Sequence, residues 1–283
     1  MHGPPLKSLA FRRSVSRVLI TIVCFYVLLC VAGCALQRQM IYFPTKLSLS
    51  LAETMAARAG FIPWKNQAGQ LMGWKLSASG TSTGSVLIVH GNAGSAVDRD
   101  YLAKPIHDAA SVDVYVLEYP GYGSREGSQS EKSFLRAADE AFALLSSEHP
   151  IYVVSESLGT GVAAHLARTQ GSKVEGMALF VPYNNFVQLA QTKMPILPVS
   201  LLLLDRFDPE NWLKDYSGPV KFILAEKDEV IPMKFGRKLH DGFGGSKNLQ
   251  VVSGAYHNEV CEQPPDWWSE VFLFWQTRTT RAE

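Results

Sequence analysis

The sequence predicts an α/β fold, a mostly parallel sheet covered by helices on both faces. Three observations carry that expectation. Short, continuously apolar runs recur along the chain, stretches of helical length separate them, and one gap, from 182 to 218, breaks the alternation. A strand buried on both faces reads as an unbroken apolar run. Strands that alternate with helices pair in parallel, because each helical crossover returns the chain to the same edge of the sheet.

The first such run is Val86-Leu87-Ile88-Val89, ending at His90. A helix over 97–110, a strand over 112–119, a helix over 131–147 and a strand over 151–155 follow. The alanine-rich stretch 158–170 predicts a helix and 174–180 a strand. From 182 to 218 no strand is evident, but Met194-Pro195, Leu197-Pro198 and an apolar run over 199–204 occur, the pattern of a lid inserted between two strands. Strands over 220–225 and 248–252 flank a helix over 232–242, and a last helix over 264–278 carries Trp267, Trp268, Phe272 and Trp275. No repeat, low-complexity tract or linker divides the chain, so residues 34–283 read as a single domain.

Composition removes several function classes. The 283 residues include 27 basic and 26 acidic side chains, a net charge of +1 that gives no basic excess for nucleic acid. With 47% hydrophobic and 19% charged residues the chain is not disordered. Four cysteines form neither a disulfide scaffold nor a zinc-ligand spacing, and no metal or cofactor is called for.

These totals average two unlike segments. The first 33 residues hold four bases (Lys7, Arg12, Arg13, Arg17) and no acid, followed by an apolar run over 18–32. That run is shorter than the roughly 20 residues a membrane-crossing helix needs, and it has the form of a secretory signal. Its end, Val31-Ala32-Gly33-Cys34, resembles a bacterial lipobox. The resemblance implies cleavage before Cys34 and acylation of that cysteine. Ala35 in place of an aspartate then implies the outer membrane, facing the periplasm. An uncleaved N-terminal anchor is the alternative. Loss of 1–33 would take the net charge from +1 to −3 and leave Cys261 the one free thiol.

The chemistry falls on the loops that follow the strands. Ser155-Glu156-Ser157-Leu158-Gly159-Thr160-Gly161 joins a strand to a helix. Such a turn exposes its middle residue in a strained conformation and requires small residues two before and two after it. Ser157 is the candidate nucleophile; Ser155 stands where glycine is usual. A phosphate-binding turn is disfavoured, since neither Gly-x-Gly-x-x-Gly nor a P-loop lysine is present. A serine needs a base, and the base needs a carboxylate to set its tautomer. Asp228 and His257, each just past a strand, meet these needs; Glu226 is the alternative acid. The other six histidines lie in the leader, in helical or turn contexts, or, for His90, ahead of the nucleophile. Two backbone N–H groups should stabilise an oxyanion: Leu158 after the nucleophile, and Asn92 in the loop His90-Gly91-Asn92-Ala93-Gly94.

That loop, Tyr119-Pro120-Gly121-Tyr122-Gly123-Ser124, Leu197-Pro198-Val199-Ser200-Leu201-Leu202-Leu203 and Asp205-Arg206-Phe207-Asp208 resemble motifs of the α/β-hydrolase superfamily. The similarity, from about 37 to 275, is to a branch of bacterial membrane-associated serine hydrolases and eukaryotic α/β-hydrolase-domain proteins, some of them protein depalmitoylases. It implies an α/β-hydrolase fold with a lid over about 182–218 and a triad in the order Ser157, Asp228, His257. The activity implied is hydrolysis of a small carboxylic ester or thioester, without cofactor, by a protein tethered to a membrane. Peptidase or amidase activity on the same fold is the alternative. A non-catalytic envelope lipoprotein fits less well, having no use for three such residues in order.

Overall fold

Eight strands form the central sheet of the computed structural model, which describes residues 6–145 and 148–276. They are β1 (Ile62–Lys65), β2 (Leu71–Leu76), β3 (Ser85–Val89), β4 (Asp113–Leu117), β5 (Ile151–Glu156), β6 (Val174–Phe180), β7 (Val220–Ala225) and β8 (Lys247–Val252). Their order is β1-β2-β4-β3-β5-β6-β7-β8, and only β2 runs antiparallel to its neighbours. The strand order reverses at β3, which lies between β4 and β5, so the loops after β3 and β5 face each other at the crevice where open α/β sheets hold their sites.

Alternation along the strands assigns the two faces. Leu87, Val89, Val153, Leu179 and Phe222 point to one side, where they pack with Phe134, Ala163 and Leu239. Val86, Ile88, Val154, Phe180 and Ile223 point to the other, against Leu102, Ile106, Trp268 and Val271. Helices α4 (Glu131–Ala143), α5 (Gly159–Gln170) and α9 (Met233–Gly242) therefore cover the first face. Helices α2 (Leu49–Ala59), α3 (Asp100–Ala109) and α10 (Pro265–Gln276) cover the second. In α10 the buried residues Trp268, Val271, Phe272 and Trp275 recur at helical spacing, and the Trp275 ring stacks on Tyr152 at 4.7 Å.

The predicted strands appear within a residue or two of their expected bounds, while β1, β2 and α2 were not foreseen. The helix expected over 97–110 begins at Asp100 after a 3₁₀ turn at Ala96–Asp98. The helix expected over 131–147 ends at Ala143; residues 146 and 147, like 277 and 278 of the last helix, lie outside the described residues. The 182–218 insertion has no strand and three short helices, α6 (Phe186–Lys193), α7 (Val199–Leu202) and α8 (Pro209–Trp212).

The N-terminal helix is longer than the apolar run over 18–32. A single helix, α1, runs from Leu6 to Ile41 and passes through Cys34 without a break. Its span Phe11–Ile41 is long and apolar enough to cross a membrane. The span exceeds the apolar run over 18–32 because no charged residue occurs between Arg17 and Arg38, and Leu36 and Gln37 continue the helix.

Candidate active site

Ser157 directly follows β5 and lies in the left-handed region, with φ of 52°. Val181, at the end of the neighbouring β6, has φ of 44°, and these two are the described non-glycine residues with positive φ. Such backbone costs about 1–3 kcal/mol and persists where surrounding bonds over-determine it. Here the Ser157 N–H donates to the Phe180 carbonyl at 2.9 Å and the Val181 N–H to the Ile223 carbonyl at 2.8 Å. Directly after the turn, α5 starts at Gly159, where a Cβ would stand 2.1 Å from the Val89 carbonyl oxygen. Glycine there lets α5 close onto β3 and set Ser157 beside the loop that follows β3.

His257 comes from the loop after β8 and Asp228 from the loop after β7. His257 Nε2 is 3.0 Å from Ser157 Oγ, and its Nδ1 is 2.7 Å from Asp228 Oδ2. The other Asp228 oxygen accepts the Val230 and Ile231 N–H groups at 2.9 and 2.7 Å, so the carboxylate is held by its own turn with one oxygen left for the imidazole. With Nδ1–H donating to Asp228, Nε2 presents its lone pair to the Ser157 hydroxyl. Glu226, the alternative acid, lies elsewhere. Its carboxylate accepts Ser253 Oγ and the Gly254 N–H at 2.8 and 2.7 Å, bonds that hold its pKa below the usual range and brace the loop leading to His257.

Asn92 and Leu158 line the same cavity as Ser157, and neither backbone N–H has a hydrogen-bond partner among the described residues. Asn92 is fixed from behind. Its side-chain amide donates to the Ile41 carbonyl at 2.9 Å, and its carbonyl accepts the Phe43 N–H and the Tyr122 hydroxyl at 2.9 and 2.8 Å. The 119–123 loop buttresses the site from behind, since Tyr119 Oη also donates to the His90 carbonyl at 3.0 Å. The cavity has a volume of about 240 Å³. Apart from Ser157, Asn92 and a few others its walls are apolar, supplied by α1 (Met40, Ile41) and by the insertion (Leu189, Met194, Leu197, Leu202).

A layer of buried charge beneath this surface escaped the sequence reading. Arg99 Nε lies 3.2 Å from Glu156 Oε2, and the same guanidinium donates to the Ala93 carbonyl, so one side chain ties the Ser157 turn to the Asn92 loop. Tyr101 donates to Glu156 at 2.8 Å. Glu118 accepts the Ala96 N–H at 2.9 Å, and burial pushes its pKa up to about 7. His90, 3.8 Å from Glu118, is held neutral by burial and by the nearby Arg99 charge. The available signal was a charge closing an apolar run: Glu118 follows Val116-Leu117, and Glu156 follows Val154-Ser155.

Cys34 sits in α1, partly exposed, with its carbonyl accepting the Gln37 side-chain amide at 2.9 Å. Among the described residues no group of three or more His, Cys, Asp or Glu side chains could hold a metal.

A family model described as alpha/beta hydrolase fold matches residues 84–211. An uncharacterized protein of Mycobacterium tuberculosis is 30% identical over 230 residues, covering 79% of this chain and 81% of that one. The chain belongs to the alpha/beta hydrolase family. Among other relatives of this hydrolase, lysophosphatidylserine lipase ABHD12 of Macaca fascicularis is 28% identical over 62% of this chain. The chain spans about half, 50%, of that lipase's length. Protein bem46 of Schizosaccharomyces pombe is 29% identical over 65% of each chain. Solved structures share the fold at low identity. The Pyrococcus furiosus esterase Pf2001 matches at TM-score 0.60 and 15% identity, over 83% of this chain and 98% of its own.

Proposed function

We propose that this protein is a serine hydrolase that cleaves carboxylic ester or thioester bonds through an acyl-enzyme on Ser157. The observation that carries the reading is the continuous chain Ser157–His257–Asp228, at 3.0 and 2.7 Å, opening into an apolar cavity. In the first half-reaction His257 Nε2 takes the Ser157 proton as Oγ attacks the acyl carbonyl. The Asn92 and Leu158 N–H groups hold the resulting oxyanion, and Asp228 stabilises the imidazolium. His257 then protonates the leaving alcohol or thiol. In the second half-reaction water gives a proton to His257 and attacks the acyl carbon, releasing the acid and restoring Ser157.

An ester or thioester with an apolar acyl group suits the cavity walls better than a peptide, which needs polar partners for its backbone. That a relative carries the name lysophosphatidylserine lipase and a fold neighbour the name esterase supports the same preference. A fluorophosphonate should label the wild type and leave Ser157→Ala unlabelled; equal labelling of both would overturn the nucleophile. Comparison of p-nitrophenyl esters with aminoacyl anilides tests the substrate class, and faster anilide cleavage would favour a peptidase or amidase.

The location we propose is a membrane surface. In the lipoprotein reading Cys34 is acylated and the domain faces the periplasm from the outer membrane. The second reading, a retained α1 anchor, is favoured by contacts made upstream of Cys34. Tyr26 donates to the Ile196 carbonyl at 3.0 Å, and a Cβ on Gly33 would stand 3.2 Å from Leu197. Intact-mass analysis of membrane-extracted protein separates them. A triacylated chain beginning at Cys34 supports the first, and an unmodified Cys34 within a full-length chain supports the second.

A further inference from the structure

We propose that the edge of the 182–218 insertion is a bilayer-docking surface, inserted beside α1 into the near leaflet, and that the cavity opens toward lipid there. This rests on the membrane-surface location above.

The argument starts with side chains on the wrong side for a core. Ile196 is 73%, Leu201 81% and Leu204 59% exposed. They alternate along the insertion with Leu197, Val199, Leu202 and Leu203, which line the cavity. One short segment thus has an apolar inner face toward Ser157 and an equally apolar outer face, and exposed apolar surface of this kind marks an interaction site.

Contacts with α1 identify the occupant. The insertion climbs the helix: Ile196 meets Tyr26, Leu197 packs at Gly33, Leu202 and Leu204 bond the Gln37 side chain at 3.1 and 2.7 Å, and Asp205 pairs with Arg38 at 3.1 Å. At 1.5 Å per residue, Tyr26 to Arg38 is about 18 Å of helix, close to one leaflet of a hydrocarbon core about 30 Å thick. Polarity is graded in the same direction. Ile196 lies toward the apolar end, while Arg38, Asp205 and Arg206 gather at the other, where headgroups would meet them; Leu201 lies nearer that polar end, Arg206 donating to the adjacent Ser200 carbonyl at 2.9 Å. Leu36 and Met40 of α1 are 47% exposed next to this edge, and Met40 also walls the cavity, so the cavity reaches the surface where lipid would be. In the acylated reading Gln37, Arg38 and Met40 still hold this edge next to the membrane, and in the retained reading the Tyr26 and Gly33 contacts add to them.

The test places p-benzoylphenylalanine singly at Ile196, Leu201, Leu36 and Leu273 of the full chain in its native membrane. Leu36 reports the anchor in either reading; Leu273, exposed on α10, is the control. Irradiation should give phospholipid adducts at Ile196, Leu201 and Leu36 but not at Leu273. Adducts at Leu36 alone overturn the proposal and leave the anchor standing; adducts at none of the four overturn both. Cross-linked dimers from Leu201 in place of lipid adducts would mean the face is covered by a second copy. For the entrance, the double variant Ile196→Ser, Leu201→Ser should lose about tenfold or more against p-nitrophenyl palmitate held in phosphatidylcholine vesicles, while p-nitrophenyl acetate changes less than about twofold. Equal loss on both substrates, or none on either, overturns the lipid-side entrance.

Discussion

Ser155 occupies a position where the tight turn before a nucleophile usually carries glycine, and its surroundings explain why a side chain fits. It is still in regular strand, paired with Val89 on one side and Leu179 on the other, so the left-handed backbone begins only at Ser157. The departure from the expected pattern is therefore conformationally mild. Its cost is polar: Ser155 is fully buried, and its hydroxyl has no hydrogen-bond partner among the described residues. A buried unsatisfied hydroxyl costs about 1–3 kcal/mol. Ser155→Ala keeps the backbone and removes that burden, so it should raise stability by about 1 kcal/mol, read as a higher Tm in detergent, and leave ester turnover within about twofold. A drop in Tm would mean that the hydroxyl is satisfied in solution.

At the scale of elements, the helix–sheet joint behind Ser157 concentrates the packing constraint. Gly159 opens α5 where a Cβ would meet the Val89 carbonyl oxygen at 2.1 Å, backbone against backbone with no side chain able to yield. Gly159→Ala should therefore lever α5 away from β3, costing about 1–3 kcal/mol as overpacking does. It should also lengthen the His257–Ser157 contact, so that fluorophosphonate labelling slows together with the fall in Tm. Unchanged labelling in a destabilised variant would separate the joint from the site. This joint was legible in the sequence, because Gly159 and Gly161 follow a continuous apolar strand. So were the strands from β3 to β8, of which β3 to β7 are largely buried while β8 is a partly exposed strand at the sheet edge. β1 and β2 were not, because their runs are broken by Pro63, Lys65, Gly73 and Lys75. Gly73 shows why: a Cβ there would fall 1.9 Å from the Val116 carbonyl, so the antiparallel strand needs a residue that strand propensity disfavours. For α2 the signs were present, a Ser48 N-cap and Gly60 in left-handed conformation at the C-terminus, without an apolar stripe to draw attention to them. The site divides likewise. Ser157, Asp228 and His257 sit on strand-end loops, where sequence position implies proximity. Arg99 and Glu118 work from beneath and come together with the site only through the fold.

Across the whole molecule, that buried charge couples stability to pH with a sign opposite to the usual carboxylate. Glu118 lies under the Asn92 loop with its pKa raised from 4.5 to about 7, because burial disfavours the charged form more than the Ala96 N–H favours it. Neutral His90 and the distant end of Arg99 offer it no close ion pair. Below pH 4.5 the side chain is protonated in both folded and unfolded chains, and the stabilisation relative to the ionised state is fully present. As pH rises from 4.5 to about 7 the unfolded chain releases the proton while the folded one retains it, so stability falls. Above about 7 both forms are ionised and this contribution is flat, a total change on the order of 3 kcal/mol. Glu118→Gln keeps an acceptor for the Ala96 N–H and cannot ionise. All other titrating groups are common to both proteins, so the informative quantity is the difference between the two. The Tm of Glu118→Gln minus that of wild type should grow steadily between pH 4.5 and 7 and then level off. A difference independent of pH would mean that Glu118 is already ionised in the folded protein at pH 5 and carries its charge under the Asn92 loop throughout.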